Sequence, residues 1–298
     1  MTQVTHSQFL SLVYHDLFDY PLTREELWFW EVGNQKSPHH IVEQTGQFYH
    51  LPKKRKCVLG RIAKRDTNEY KYAQAMRASS VLSHIPTIEL VGVSGALAMG
   101  DAKEDDDIDL FIVTAQDTLW VTRALSFLVL RFAKIPVRRF GEKDVSNKLC
   151  LNLWVDKKNL DFSEREEIYT AHETVQVKAL FDRGGIYKKL IEANSWIEKF
   201  FPNAFKVLKV ENGEDTSQEQ GVVHKLSTIL VRLFEVPVRL IQMAYMSRRK
   251  TKENVSKGKA FFHPLDWKET IPKVFLLRLE QISKGKQPVS PVSAFVEN

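Results

Sequence analysis

Apolar and polar positions alternate along the chain in two distinct rhythms. Ser7 to Phe18 sets Phe9, Leu10, Leu12, Val13, Leu17 and Phe18 close to a helical period, and Asp19-Tyr20-Pro21 ends the run because a proline disfavours helix in the residue before it. Thr23 with Glu26 forms a capping box that opens a second helix through Leu27, Trp28, Phe29 and Trp30. Ser37 followed by Pro38 reads as a third helix start, with Gly46 as its stop, and Phe48 to Leu51 and Cys57 to Leu59 read as two strands. Three helices and a hairpin predict a winged-helix-like module over 1–66, with the Trp28-Phe29-Trp30 group in its core.

From about residue 67 the rhythm changes. Asn68 to His84 predicts a helix with Ala73, Ala75, Met76, Ala78, Val81 and Leu82 on its apolar side. Ile88–Val93 and Ile108–Val113 read as buried strands, Leu119–Phe132 as a long helix, and Leu149–Val155 as a third strand. A second capping box, Ser163 with Glu166, opens a further helix. Interleaved strands and helices predict a mixed α/β (α+β) domain over 67–182. Beyond it Ile186–Phe200, Val222–Met246 and Lys268–Ile282 predict a helical extension over 183–285, with a Phe261-Phe262-His263-Pro264 loop before its last helix and a tail at 286–298. The chain carries no internal repeat.

Composition narrows the class. Of 298 residues, 43% are hydrophobic and 27% charged, and 43 Lys+Arg against 37 Asp+Glu leave a net charge of +6; this is the balance of a globular protein of two or three domains. Cys57 and Cys150 stand alone, in neither a disulfide framework nor a zinc spacing. The first residues lack a basic segment followed by an apolar core, and the expected setting is cytoplasmic. Leu226–Met246 is strongly apolar, but Arg232, Glu235, Arg239 and Pro237 interrupt it, and a spanning helix needs about 20 uncharged apolar residues. It reads instead as an amphipathic helix. With Arg248, Arg249, Lys250, Lys252, Lys257 and Lys259 behind it, such a helix suits an anionic membrane surface or nucleic acid; the plainer reading is a core-packed helix followed by a solvated basic loop.

Lys53, Lys54, Arg55, Lys56, Arg61, Lys64 and Arg65 place seven cations in thirteen residues. They fit a wing that grips phosphates while the Pro38–Thr45 helix enters a groove. That helix offers His39, His40, Glu43 and Gln44 but no Arg or Lys to reach base edges, which equally fits a module that binds a protein partner.

The densest chemistry lies in Val91-Gly-Val-Ser-Gly-Ala-Leu-Ala-Met-Gly100 and the acidic run behind it, six acids in the nine residues 101–109. A strand ends at Val93, and Ser94, Gly95 and Ala96 form a small-residue turn into a short helix, the kind of turn phosphate approaches closely. Asp107 and Asp109 flank Ile108, so on a strand both carboxylates share a face. Hard oxygen ligands of this kind suit Mg²⁺ or Mn²⁺, and a cation relieves the repulsion between them. Asp101 and Glu104 read as solvated loop. Lys103 is placed to meet a phosphate or to remain a loop lysine. His172-Glu173 lacks the second His of a zinc-protease helix and reads as helix surface or support, and Arg183-Gly184-Gly185 with Tyr187 reads as a turn or a nucleotide contact. Neither a P-loop nor a nucleophile elbow is present.

At these residues the sequence resembles the polymerase-β-like nucleotidyltransferase superfamily, most closely its minimal bacterial and archaeal type. The resemblance covers about residues 68–200 and rests on Ser94-Gly95-Ala96, a ten-residue gap, and Asp107-Ile108-Asp109-Leu110. It implies the nucleotidyltransferase-fold mixed sheet with flanking helices. It also implies transfer of a nucleoside monophosphate from an NTP to an acceptor hydroxyl, with Asp107 and Asp109 holding Mg²⁺ or Mn²⁺ and Ser94, Gly95, Ala96 and Lys103 at the nucleotide. Two positions depart from the family pattern. Ala96 replaces the usual Ser or second Gly, and the strand that carries the family's third carboxylate offers Asn152, with Asp156 and Asp161 as alternatives. These departures also admit a catalytically impaired nucleotide-binding regulator acting through the N-terminal module.

Overall fold

The computed structural model describes residues 1–139, 141–211, 222–247, 254–255, 258–261 and 267–285. The elements run β1 (Thr2–Val4), α1 (His6–Asp16), α2 (Arg24–Phe29), β2 (His40–Thr45), β3 (Phe48–His50), α3 (Arg55–Ala63), α4 (Arg65–Leu82), β4 (Ile88–Val93), α5 (Gly95–Met99), β5 (Ile108–Thr114) and α6 (Leu119–Phe132). They continue with β6 (Leu149–Asp156), α7 (Ile168–Val175), β7 (Lys178–Asp182), α8 (Ile186–Ala193), α9 (Pro202–Glu211), α10 (Val222–Ser247), β8 (Asn254–Val255), β9 (Lys259–Phe261) and α11 (Trp267–Ser283). The fold is mixed α/β, as the interleaved pattern predicts.

The N-terminal part departs from the three-helix expectation. Thr5 and Thr23 cap α1 and α2 with complete capping boxes, but the segment read as a third helix is β2. Ile41, Val42 and Thr45 are β-branched and alternate in burial, a pattern that suits a pleat better than a helix. Gly46, at φ +59°, turns the chain back into β3, and β1 completes an antiparallel sheet in the order β1-β2-β3. The expected strand at 57–59 lies inside α3, and the candidate recognition helix is absent. Three of the seven cations of its basic stretch are engaged internally: Lys54 pairs with Asp19 at 2.7 Å and Asp16 at 3.3 Å, Arg61 with Glu26 at 2.6 Å, and Lys64 with Asp101 at 2.7 Å. Lys53, Arg55, Lys56 and Arg65 stay exposed. Trp30 is buried, whereas Trp28 is half exposed.

A six-stranded mixed sheet, ordered β7-β4-β5-β6-β9-β8, forms the centre. β5 and β6 are parallel and the other pairs antiparallel. Period-two alternation sorts β5 between two cores. Ile108, Leu110 and Ile112 pack with α4 and α6 residues including Ala75, Leu82, Trp120 and Leu130. Phe111 and Val113 face the opposite core, where α1, α2, α7, α8, α9 and α11 contribute Tyr14, Leu27, Ala171, Leu190, Phe205 and Phe275. The N-terminal part therefore shares its core with the C-terminal helices, and Asp16 and Arg278 lock α1 to α11 through a buried ion pair at 2.5 Å.

Later elements shift in detail. Ser163–Arg165 is a short 3₁₀ turn rather than a helix opened by a capping box; α7 begins at Ile168, where the Glu167 carboxylate accepts from the N–H groups of Tyr169 and Thr170. The helix expected over 186–200 breaks at Asn194, whose side chain is spent on Leu160, Phe162 and Trp196. The extension is not purely helical, since β8 and β9 join the central sheet. α10 packs through a mixed face: Glu235 accepts from Trp120 N–H and Val121 N–H at the start of α6, Arg232 donates to Gln116 O, and Val238, Met243 and Met246 pack against the core. Ile229, Leu233, Val236, Leu240 and Tyr245 are exposed, so the helix is core-packed along one side, as the plainer reading expects, and its opposite side is apolar and exposed. Among the described residues no helix is long and apolar enough to cross a membrane. Most of the basic cluster at 248–257, the loop at 262–266 and the 286–298 tail lie outside the described residues.

Candidate metal centre

The site grows from the end of β4 and the start of β5. β4 closes on Val93 opposite Leu110, and the Ser94 N–H donates to Asp109 O at 3.1 Å. Ser94 therefore stands opposite Asp109, with both side chains on one face. On the other side of β5, Asp109 is paired with Cys150 of β6. One row thus crosses three strands, from Ser94 through Asp109 to Cys150, on the face shared with Phe111 and Val113. Gly95 adopts φ +61°, and a Cβ there would lie 2.6 Å from Asp109 Oδ2. Only glycine lets the turn close on this carboxylate.

The acidic run is held from behind by α4. Lys64, Asn68, Lys71, Ala75, Ala78 and Leu82 recur every three or four residues, a single helix face. The apolar end of that face enters the core, and its polar end binds the loop: Lys64 to the Asp101 carboxylate, Asn68 to both Ala102 N–H and Ala102 O, and the fully buried Lys71 to Glu104 O and Asp106 O at 3.1 and 2.6 Å. Burial lowers the Lys71 pKa, and the surrounding acids oppose that shift. Asp106 turns its own carboxylate onto Lys103 N–H. Asp101 and Asp106 are thus spent on loop structure, while Asp107 and Asp109 project onward.

Oxygen atoms of Asp107 and Asp109 and the sulfur of Cys150 all lie within 4.8 Å of one another. Arg138 donates to Asp107 Oδ2 at 2.6 Å, and its own N–H is fixed by Leu149 O. Asn152 Nδ2 donates to Asp109 Oδ1 at 3.1 Å. Burial, then the charge of Asp107, pushes the Asp109 carboxyl up to about 7; the Cys150 thiol and Asn152 oppose this by hydrogen bonding, and Glu173 on α7 adds to it. Burial followed by Asp109 and Asp107 drives the Cys150 thiol far above its ordinary value. The Ser94 hydroxyl is buried and has no hydrogen-bond partner among the described residues. Crowded carboxylates, an adjacent thiol and an orphaned hydroxyl make a donor set that fits a divalent cation.

Of the residues singled out in the sequence, Ser94, Gly95, Asp107, Asp109 and Asn152 come together, with Ala96 in the first turn of α5. Lys103 does not join them: its side chain is exposed and its charge bears on Asp101. Asp156 lies at the far end of β6 and accepts from Asp117 N–H and Lys158 N–H, and Asp161 accepts from Ser163 N–H, so both serve loop turns. Cys150 and Arg138 are the residues that sequence reasoning missed, whereas Glu173, read as helix surface or support, lies where its charge bears on Asp109. Cys150 carried a signal, being two positions before Asn152 on the same strand; Arg138 carried none, because only the bridge from Val137 to Leu149 brings it in. His172 is a buried core residue beside His15, and burial pushes each down to about 3. Arg183 donates to Ser83 O, Pro86 O and Ile88 O, and Asp182 caps Ile186 and Tyr187, which makes that segment a braced turn.

Comparison of the chain with protein-family models, with curated proteins and with solved structures gives no match.

Proposed function

We propose that this chain is a metal-dependent nucleotidyltransferase of the polymerase-β-like type, moving a nucleoside monophosphate from an NTP to an acceptor hydroxyl. The observation that carries the reading is the convergence of Asp107 and Asp109 beside a turn that only Gly95 can close. In this reading Asp107 and Asp109 hold Mg²⁺ or Mn²⁺. The bound cation supplies charge neutralisation to the departing pyrophosphate and lowers the pKa of the attacking hydroxyl. Asn152 orients Asp109 by donating to Oδ1, and Ser94 offers an unspent hydroxyl to the triphosphate. Asn152 has no basic oxygen, so removal of the acceptor proton falls to another group.

Two observations favour a second reading, a nucleotide-binding regulator without turnover. Asn152 stands where the resemblance expects a carboxylate, and Arg138 already neutralises Asp107. The exposed Lys53, Arg55 and Lys56 would then contact nucleic acid or a protein partner. Pyrophosphate release across the four NTPs with Mg²⁺ or Mn²⁺ decides between them. The leading reading expects release that falls at least a hundredfold in Asp107→Ala and Asp109→Ala, the scale set by losing several kcal/mol of metal stabilisation. Release unchanged in those variants removes the site assignment. NTP binding without release leaves the regulator, and salt-dependent duplex binding lost on neutralising Lys53, Arg55 and Lys56 would support it further.

A further inference from the structure

Two carboxylates alone describe a hard site for Mg²⁺. The third donor within reach is not a carboxylate but sulfur. Cys150 is buried and pairs with Asp109 across β5 and β6, so its side chain is held on the Asp109 face by the sheet register rather than by a mobile loop. Asp156 and Asp161, the oxygen donors that would have kept the set hard, are bound to loop N–H groups. The buried, unpartnered hydroxyl of Ser94 stands on the same face, directly across β5 from Cys150. Arg138 covers Asp107 Oδ2 and supplies one positive charge permanently, which leaves the remaining donors suited to one cation rather than two.

We propose that Asp107, Asp109 and Cys150 form a mixed carboxylate–thiolate site for a single thiophilic divalent cation of the Zn²⁺ or Co²⁺ class, in preference to Mg²⁺. The inference rests on the placing of a metal at Asp107 and Asp109 in the proposed function, changes which metal the site prefers, and does not require nucleotide transfer. Thiolate ligands select borderline and soft metals, whereas an all-oxygen set suits Mg²⁺ and Mn²⁺. On binding, the Cys150 S–H proton leaves to solvent and the sulfur lone pair enters the coordination sphere.

The test uses the full chain without nucleotide. Titration of Co²⁺ into the metal-free protein is expected to give a near-ultraviolet sulfur-to-cobalt charge-transfer band that saturates at one equivalent. The band should be retained in Cys57→Ser, lost in Cys150→Ser, displaced by stoichiometric Zn²⁺ and unaffected by a large excess of Mg²⁺. Cys150→Ser should weaken Zn²⁺ binding by roughly tenfold or more and leave Mg²⁺ binding unchanged. X-ray absorption of the Zn²⁺-loaded wild type needs no variant and should show one sulfur at about 2.3 Å. A Co²⁺ spectrum without the band, a band that survives in Cys150→Ser, or a zinc shell without sulfur overturns the proposal. Mg²⁺ binding with no thiophilic preference would sink this inference and spare the nucleotidyltransferase reading. A sulfur-ligated metal in a protein that releases no pyrophosphate would do the reverse.

Discussion

Asp109 gives the metal-free protein a characteristic dependence on pH. Its carboxyl is held at about 7 by burial and by Asp107, with hydrogen bonds from the Cys150 thiol and Asn152 opposing the rise and Glu173 adding to it; Arg138 neutralises Asp107, and the neighbouring Cys150 thiol stays protonated. An unfolded aspartate titrates near 3.9. The folded state therefore keeps a proton that the unfolded chain has already released. The stability linked to this group is fully present below about pH 4 and is lost as pH rises through 7. The rise from near 4 to about 7 makes this linkage worth at most a few kcal/mol, reduced in practice because Asp109 keeps some solvent contact.

Asp109→Asn removes this titration while its side-chain oxygen still accepts from Asn152. In chelator, thermal unfolding from pH 5 to 8.5 is expected to show the variant gaining on the wild type as pH rises. At the alkaline end the gap should reach several degrees and at most about 10 °C, by the scaling of Tm with stability for a chain of this size. Saturating Zn²⁺ or Mn²⁺ should close the gap by stabilising only the wild type. Parallel pH profiles for the two proteins, or a variant less stable than wild type above pH 7 in chelator, would refute the crowded-carboxylate account.

Three further perturbations follow from the same geometry. Gly95→Ala places a Cβ 2.6 Å from Asp109 Oδ2 at φ +61°; it should cost at least about 1–2 kcal/mol in denaturant unfolding from the backbone alone and weaken metal binding as Asp109 is displaced. Lys71→Met strips the buried donor from Glu104 O and Asp106 O and should cost about 1–3 kcal/mol, with faster amide exchange confined first to 101–107. Arg278→Met leaves Asp16 buried with Lys54 as its ion-pair partner among the described residues and should destabilise by up to about 3–5 kcal/mol, whereas the double replacement Asp16→Leu/Arg278→Met should recover most of that loss.

Three of the six strands of the central sheet were legible because they are locally unambiguous; β7, β8 and β9 are short and carry no such apolar run. Ile88–Val93, Ile108–Val113 and Leu149–Val155 are apolar runs with turn residues at their ends, and the structure places strands over the same ground. The N-terminal part misled for a physical reason. Ser37-Pro38 imitates a helix start, yet Ile41, Val42 and Thr45 favour a pleat, and pairing with both β1 and β3 decides the outcome. No local rule sees β1, which lies more than thirty residues away. For α10 the packed amphipathic helix was legible, but not that Glu235 turns inward to meet the N–H groups at the start of α6. At the site, strand parity revealed that Asp107 and Asp109 share a face. Cys150 lay within that same logic, two residues from Asn152, but Arg138 arrives only through tertiary pairing. Charge shows the same division: the basic stretch at 53–65 looked like a phosphate grip, and Glu26, Asp16, Asp19 and Asp101 claim three of its seven cations.

A crystal of the full chain grown with a non-hydrolysable NTP and Mn²⁺ tests the central claim most directly, read by anomalous scattering. The expected result is a manganese peak bound by Asp107 and Asp109, with the triphosphate against Ser94–Ala96. A nucleotide seated elsewhere, or manganese away from both carboxylates, would contradict it.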